Sequence, residues 1–345
     1  MRAMRDALKH RGEIRALEDI HRHSSVGFLS NHSESTCDAL GSGQYRHPTR
    51  ELCITLSGQV LAPRPEKGPT LPFLLERFSE LGTRLFEEMR GAFVMVIQDG
   101  ERLFLVRDGV GARSLVWGQH QGRLRFAVES KGILSDPAFP RRLRPGAVAQ
   151  YLSFSFIPGS GTMLEDVEEL LPGHWMQLEQ GRAPEQKRWF RFEDPEEVPE
   201  LSADAWVERV AEAHAQAVRE RVPKDAPFAT FLSGGLDSSI VVAELAQQGH
   251  IGSPTYSIHF GPRYDNELEF AREVAKSAKS EHQEVLIRPE SFLPRLRKAV
   301  WHMDEPIGDP ITIPNFELAR RVSKDYRWVF NGEGGDPLFG GPKNL

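Results

Sequence analysis

The stretch that decides the fold reads Phe231-Leu232-Ser233-Gly234-Gly235-Leu236-Asp237-Ser238-Ser239. The apolar run 228–232 leads into the two glycines and predicts a buried strand. Residues 239–246 are apolar at helical spacing and are followed by Gly249, which predicts a helix that ends there. A strand, a glycine-rich turn and a helix N-terminus bring backbone N–H groups and the positive end of the helix dipole to one point. The stretch therefore predicts a phosphate-binding loop.

The residue types in this loop indicate which phosphate it holds. Adjacent glycines let the backbone approach an anion without an intervening Cβ, and three serines offer hydroxyl donors. Asp237 would lie beside the phosphate, which is tolerable when a divalent cation sits between the two. The pattern lacks the lysine of Gly-x-x-x-x-Gly-Lys-Ser/Thr, so it favours pyrophosphate over a γ-phosphoryl group. The alternative is a plain Gly-Gly turn before an ordinary helix.

Length, charge and cysteine content narrow the class of protein. A chain of 345 residues is long for a single core, so two domains are expected. The formal net charge of −6 provides no global basic field, and we expect no nucleic-acid partner. No apolar run is long enough to span a bilayer and no signal-peptide pattern is present, which predicts a cytoplasmic protein without a membrane partner. Two cysteines, Cys37 and Cys53, predict reduced structural thiols.

The first half of the chain contains short apolar segments separated by turn residues. This pattern predicts an antiparallel sheet with strands over 52–56, 91–97, 103–108, 114–117, 124–128 and 175–178. Helical spacing predicts helices over 4–10, 73–85 and 143–151. The fold class expected for this half is α+β.

The second half alternates strands and helices. Strands are predicted over 255–260, 282–287 and 328–330, and helices over 205–221, 267–278 and 292–301. Such alternation is typical of an α/β fold with a parallel sheet whose ligands bind at the carboxyl ends of the strands. A second glycine-rich loop, 331–341, follows the last strand and lacks the spacing of a dinucleotide-binding turn. We expect Asp237 and Asp336 to face one bound cation from two strand ends.

The motifs together resemble a known family. The Ser-Gly-Gly-Leu-Asp-Ser-Ser loop resembles the pyrophosphate loop of the ATP-pyrophosphatase superfamily, whose members split ATP into AMP and pyrophosphate. Further segments are similar to motifs of glutamine-hydrolysing asparagine synthetases: 9–12 (Lys-His-Arg-Gly), 106–115, 126–131, 171–174 (Leu-Pro-Gly-His), 256–260, 264–267, 304–310 and 331–341. The resemblance covers nearly the whole chain.

This resemblance implies a domain plan and an activity. It implies a glutamine amidotransferase type 2-like domain of Ntn-hydrolase-like αββα architecture over 1–190, a linker over 191–203, and an ATP-pyrophosphatase domain over 204–345. The implied activity is ATP-dependent carbon–nitrogen ligation in asparagine and amino-acid biosynthesis: a carboxylate, aspartate or a related one, is activated as acyl-AMP, and ammonia or an amine supplies nitrogen. The implied cofactors are ATP and Mg²⁺.

The resemblance also assigns site residues. It places ATP and pyrophosphate against Leu232, Ser233, Gly234, Gly235, Asp237, Ser238, Ser239, Ile258, Asn331 and Gly332. It makes Asp237 and Asp336 the magnesium ligands and Glu333 the catalytic residue near the activated carboxylate.

The sequence departs from the family at both ends. Arg2 stands where the family has its nucleophilic cysteine, and Ser57-Gly58-Gln59 replaces an Asn-Gly-Glu motif, so we expect no glutaminase activity. The chain ends at Leu345, before the family's lysine-bearing helical region, so we expect the second domain to be incomplete at its C-terminus. A homo-oligomer or a partner chain that supplies that region stays open. So do a β-lactam synthetase-like or peptide cyclase-like acceptor and a non-catalytic nucleotide-binding subunit.

Overall fold

The computed structural model describes residues 2–11, 13–21, 24–30, 40–192, 199–224 and 226–340. Cys37 lies outside these residues. The chain forms two compact units: unit 1 is Met1–Pro195 with Met303–Gly308, and unit 2 is Glu196–His302 with Asp309–Leu345. In the described ranges, no helix has both the length and the apolar character needed to cross a membrane.

Unit 1 consists mainly of antiparallel strands. They are β1 (Glu13–His21), β2 (Ser24–Ser30), β3 (Gly43–Arg46), β4 (Leu52–Ala62), β5 (Arg90–Asp99), β6 (Arg102–Arg107), β7 (Val116–His120), β8 (Arg123–Ala127), β9 (Val167–Glu169), β10 (His174–Leu178) and β11 (Glu185–Arg188). Its helices are α1 (Arg2–Leu8), α2 (Thr70–Leu81), α3 (Leu85–Glu88), α4 (Ser130–Ile133) and α5 (Pro145–Phe154). Strands β1 and β2 form a hairpin, and the others form a six-stranded sheet, β11-β10-β6-β5-β4-β3, and a three-stranded sheet, β8-β7-β9.

The alternation of side chains along the strands produces the layers of unit 1. On β5, Phe93, Met95 and Ile97 pack with the apolar residues of α2 and α3. Val94 and Val96 point to the opposite face and pack with residues of the three-stranded sheet and its flanks. Period-two alternation therefore allows one strand to serve two cores.

A third apolar cluster completes the layering. Leu8 of α1 and Ile133 of α4 pack against Val116 and Ala127 of the three-stranded sheet. The order of layers is helix, sheet, sheet, helix, and the predicted αββα architecture is confirmed.

Two of the differences between the structure and the sequence prediction in unit 1 have a clear physical reason. The predicted helix 73–85 is split, because Gly82 ends α2 with a φ of 58° and its N–H bonds to Phe78 O; a 3-10 turn, Gly82–Arg84, then leads into α3. Strand β11 lies in a stretch rich in Pro, Glu and Arg for which no strand was predicted, and it pairs with β10 at the sheet edge. Backbone pairing with an existing edge outweighs weak local propensity there.

Unit 2 is an α/β unit. Its strands are β12 (Phe228–Phe231), β13 (Thr255–His259), β14 (His282–Leu286) and β15 (Trp328–Phe330), and its helices are α6 (Ala203–Arg221), α7 (Leu236–Gln247), α8 (Leu268–Ser277), α9 (Phe292–Met303), α10 (Thr312–Val322) and α11 (Gly335–Phe339). The sheet has the order β14-β13-β12-β15. Every pairing is parallel, as predicted.

Helices α6, α7, α8 and α9 begin within three residues of their predicted starts, whereas α10 and α11 were not predicted. Ser202 caps α6 by accepting a hydrogen bond from Ala205 N, 3.2 Å away. Helix α10 was not predicted, and its Leu318 and Val322 pack against Ala229 and Tyr256 of the sheet. Helices α9 and α10 both lie on the connection between β14 and β15.

Candidate functional site

Two glycine-rich loops come together in unit 2 because their strands are neighbours. Strand β12 pairs in parallel with β15, with Ala229 opposite Val329 and Thr230 opposite Phe330. Each strand ends directly before a loop, 232–235 after β12 and 331–334 after β15. In a parallel sheet, both loops therefore leave from the same edge, where ligands of such sheets bind.

Gly234 has a conformation that requires glycine. Its φ is 98°, and a Cβ at this position would clash with the backbone carbonyl of Glu267, which precedes α8. The turn after β12 is thus set closely against the start of α8. This packing fixes the loop where it turns into α7.

The second loop lies against the first through two more glycines. A Cβ on Gly332 would lie 2.5 Å from Ser238 N, and a Cβ on Gly335 would overlap the carboxylate of Asp237. The two loops therefore touch backbone to backbone and backbone to carboxylate. Sequence reasoning assigned Gly332 to the site and missed Gly335, although the pair Gly334-Gly335 was the signal available.

The serine hydroxyls hold the shape of the first loop. Ser238 Oγ accepts a hydrogen bond from Ser233 N at 3.2 Å and lies 3.0 Å from Ser233 Oγ. Ser239 Oγ donates to Gly235 O at 2.7 Å. Since the first N–H groups of a helix have no partner within the helix, the N-terminus of α7 keeps donors for an anion. Direct contact between these hydroxyls and phosphate stays a prediction.

The two remaining ATP residues lie beside the loop in the sheet. Leu232 is buried, and its N–H donates to Tyr256 O on the adjacent strand at 2.9 Å. Ile258 is half-buried near the end of that strand, β13. Their side chains belong to the packing of the sheet, so any contact with ATP would come from the backbone.

The acidic site residues lie on the two loops. Asp237 and Asp336 each occupy the first turn of a helix, α7 and α11. Glu333 is exposed, and its N–H donates to Asn331 Oδ1 at 3.3 Å. No group of three or more His, Cys, Asp or Glu side chains suited to a metal occurs in the described ranges. A magnesium ion held by the two aspartates would therefore need phosphate oxygens as further ligands.

In unit 1, two of the family-like motifs meet at one buried carboxylate. Glu129, which is 1% exposed, lies 3.0 Å from His10 Nε2 and also pairs with Arg11 and Lys131. Its contacts join segments that are 119 residues apart in the chain. The arrangement compensates a buried charge with three partners, as buried carboxylates require.

A third motif forms a closed turn. Asp108 is 0% exposed, and its carboxylate accepts hydrogen bonds from the backbone N–H groups of Val110, Ala112 and Arg113 at 2.9–3.2 Å. Arg107 is also buried, with 5% of its surface exposed, and pairs with Glu169 at 2.8 Å. Both charged side chains therefore have partners within unit 1, which indicates a structural role.

The acidic pair at 304–305, from another family-like motif, packs within unit 1. Asp304 accepts from Ser130 N and Lys131 N at the start of α4, and Lys131 Nζ lies 2.8 Å from it. Glu305 accepts from Met163 N at 3.2 Å and Ser130 Oγ at 3.3 Å. Burial raises the pKa of Glu305 to about 7, with smaller contributions in the same direction from Asp304 and Glu169.

Cys53 is buried in β4 with 2% of its surface exposed. Its position between strands matches the structural role expected for it and gives no access to a substrate.

Comparisons with known proteins cover both units. The glutamine amidotransferase domain model matches residues 72–190, and the asparagine synthase model matches residues 209–344. Glutamine-hydrolysing asparagine synthetase 1 of Bacillus subtilis is 30% identical over 78% of this chain and 42% of its own length. The putative asparagine synthetase 2 of Methanocaldococcus jannaschii is 27% identical over 80% of this chain and 54% of its own. Amidase chyE of Penicillium rubens is 30% identical over 76% and 42%.

These matches define the class first: a glutamine amidotransferase domain joined to an asparagine synthase domain. Within this class, the chain is a member of the asparagine synthetase family, and the resemblance predicted from the sequence is confirmed. The chain spans about half the length of the curated relatives it matches.

Proposed function

We propose that unit 2 binds ATP with Mg²⁺ and activates a carboxylate. The carboxylate oxygen attacks the α-phosphorus, the bond to pyrophosphate breaks, and an acyl-adenylate results. Ammonia or an amine then attacks the acyl carbon, and AMP leaves as the amide forms. The observation that carries the proposal is the contact of Gly332 with Ser238 N and of Gly335 with the Asp237 carboxylate, which brings two phosphate-type loops to one point.

The residues of the two loops suit these roles. The N–H groups around Gly234 and at the start of α7 would bind pyrophosphate, because the helix dipole adds positive potential there. Asp237 and Asp336 would hold magnesium together with phosphate oxygens. Bound there, the ion would supply positive charge next to the leaving pyrophosphate. Glu333, which is exposed on the second loop, would face the carboxylate substrate.

Aspartate is the first acceptor to test, because two of the relatives carry the name asparagine synthetase. A fungal relative of the same identity is named an amidase. The acceptor is therefore proposed as aspartate or a related carboxylate. An acceptor whose own amine closes a ring, as in β-lactam synthetases, is the alternative.

Calorimetric titration with ATP tests the nucleotide site. We expect tighter binding in magnesium than in EDTA, and we expect Asp237→Asn to weaken the magnesium-dependent binding about tenfold, because one ligand of the cation loses its charge. Asp325→Asn, an exposed change outside both loops, is the matched control and should bind like the parent chain. Equal affinity with and without the metal would refute the site.

Exchange of labelled pyrophosphate into ATP tests the activation step. Exchange that depends on aspartate supports the proposed reaction, and exchange with another carboxylate changes the acceptor only. ATP binding without exchange in any carboxylate panel would favour a nucleotide-binding subunit over a ligase.

A further inference from the structure

Unit 2 contains a second concave region, away from the two loops. A cavity of ≈ 170 Å³ lies between the end of β14 and helices α9 and α10. Its apolar side is formed by residues 285–287, and its polar side by Arg295, Glu317, Arg320, Arg321 and Lys324. We refer to it as the basic cavity.

Helical spacing places the polar residues together. Glu317, Arg321 and Lys324 occupy positions i, i+4 and i+7 of one face that continues from α10 into the following turn. Leu318 and Val322 pack under the sheet and hold this helix in place. Helix α9 adds Arg295 from the other side.

A single buried carboxylate organises two of the four cations. The Glu317 side chain is 5% exposed, and its Oε2 lies 2.8 Å from Arg295 Nη1 and 2.9 Å from Arg320 Nη2. Arg295 Nη1 also donates to Ser291 Oγ at 3.3 Å. Two guanidinium groups are thereby fixed at the cavity by one negative charge.

The other two cations, Arg321 and Lys324, are not paired with Glu317. Within the part of the chain that the structure describes, Arg321 and Lys324 form no ion pair with a carboxylate. Four basic residues against one acid leave a net charge of +3 on the cavity lining. If this cluster served only as a structural salt bridge, Glu317 and its two arginine partners would suffice, and Arg321 and Lys324 would not be needed. A concave wall of one sign concentrates the field and attracts counter-ions.

We propose that the basic cavity binds a small metabolite with at least two negative oxyanion charges, carried by phosphate or carboxylate groups. Guanidinium groups match both kinds of oxyanion through paired hydrogen bonds. The volume admits a small molecule, and the apolar residues 285–287 offer a surface for its carbon skeleton.

The cavity lining shares no residue with the two glycine-rich loops: strand β13 lies between β14, which borders the cavity, and β12, which carries the phosphate loop. Ile258 of the proposed ATP site, on β13, pairs with Val285 of the cavity lining. The binding test below uses no ATP, so its outcome does not depend on the proposed reaction.

Calorimetry at fixed ionic strength, in EDTA and without ATP, tests the proposal. The probes are inorganic phosphate and citrate, which distinguish a phosphate ligand from a carboxylate ligand. We expect at least one of them to bind the parent chain and to bind the variant Arg321→Gln/Lys324→Gln at least tenfold more weakly. The variant Arg321→Lys/Lys324→Arg, which keeps the charge, should retain binding.

A matched control separates the cavity from general electrostatics. Lys276→Gln/Arg297→Gln removes the same types of charge from exposed helix positions outside the cavity. It should leave binding unchanged. The proposal is overturned if neither probe binds the parent chain at millimolar concentration, or if both glutamine variants lose binding equally. All substituted residues are solvent-facing, and circular dichroism checks that each variant is folded.

Discussion

The turn after β6 in unit 1 and the loop after β12 in unit 2 use similar residues in opposite ways. Both follow a buried strand, both contain glycine, and both contain an aspartate. Asp108 is fully buried, and three backbone N–H groups satisfy its carboxylate. Asp237 is partly exposed at the start of a helix, and the second loop passes close to it at Gly335.

The difference shows how a family-like motif can be sorted by its hydrogen bonds. A turn whose polar groups bond to one another has no donor or acceptor left for a ligand, so its role is to stabilise the fold. A loop whose serines fix its geometry while a helix N-terminus faces outward keeps capacity for an anion. Three substitutions test this distinction.

The largest effect is expected at the closed turn. Asp108→Ala leaves three partly buried backbone N–H groups without their acceptor. Because water can partly replace the carboxylate, each lost bond should cost about 1–2 kcal/mol, and the free energy of unfolding should fall by roughly 3–6 kcal/mol. Urea denaturation measures the loss. Asp99→Ala, which removes an exposed partner of Arg102, should cost less than about 1 kcal/mol. A loss at Asp108 as small as at Asp99 would show that the turn is not structural.

Glu305 is intermediate between the buried Asp108 and the partly exposed Asp237. Its carboxyl group is largely buried but, among the described residues, accepts only two hydrogen bonds, from Met163 N and Ser130 Oγ. Its pKa of about 7 exceeds the ordinary 4.5, so the folded chain keeps a proton that the unfolded chain releases. This contribution to stability is complete below about pH 4.5 and is lost as the pH rises through 7, at most roughly 3 kcal/mol. Glu305→Gln should remove this pH dependence of the free energy of unfolding between pH 5 and 7.5. An unchanged slope in the variant would assign the pH dependence to other groups.

The smallest effect on stability, but a clear one on binding, is expected where the two loops touch. Gly335→Ala places a methyl group against the Asp237 carboxylate and should weaken ATP binding about 100-fold, or about 2.7 kcal/mol. Gly146→Ala, at a position with open space around it, is the matched control and should have no effect. ATP affinity that survives Gly335→Ala would mean that the contact between the loops is not needed for the site.

The sequence predicted the strands and the class of both halves because the periodic patterns there are strong. On β5, for example, the side chains of Phe93 and Val94 point to opposite faces and enter different apolar clusters, so residues 93–97 of the strand are all apolar. Helix α10 was missed because Pro314 interrupts its apolar spacing, although proline is accepted in the first turn of a helix. The basic cavity could not be predicted for the same reason, since three of its cations lie on or just after this helix.

For the candidate site, the sequence predicted which residues form the two loops more completely than it predicted the contacts between them. The residues of both loops follow from composition and resemblance, and their proximity follows from the parallel pairing of β12 and β15. The role of Gly335 depends on a distance between residues about 100 positions apart, which no local pattern contains. The same holds for Glu129, whose three partners come from two segments.

The contact between Gly332 and Gly335 on one side and residues 237–238 on the other has a consequence for mutational scanning and for chimeras. Because Gly332 lies against backbone and Gly335 lies against the carboxylate of Asp237, a side chain added at either glycine would displace the first loop. In a saturation library, substitutions in either loop should be poorly tolerated, and the two loops should show the same sensitivity. A loop transplanted from a relative should function only when the other loop is transplanted with it.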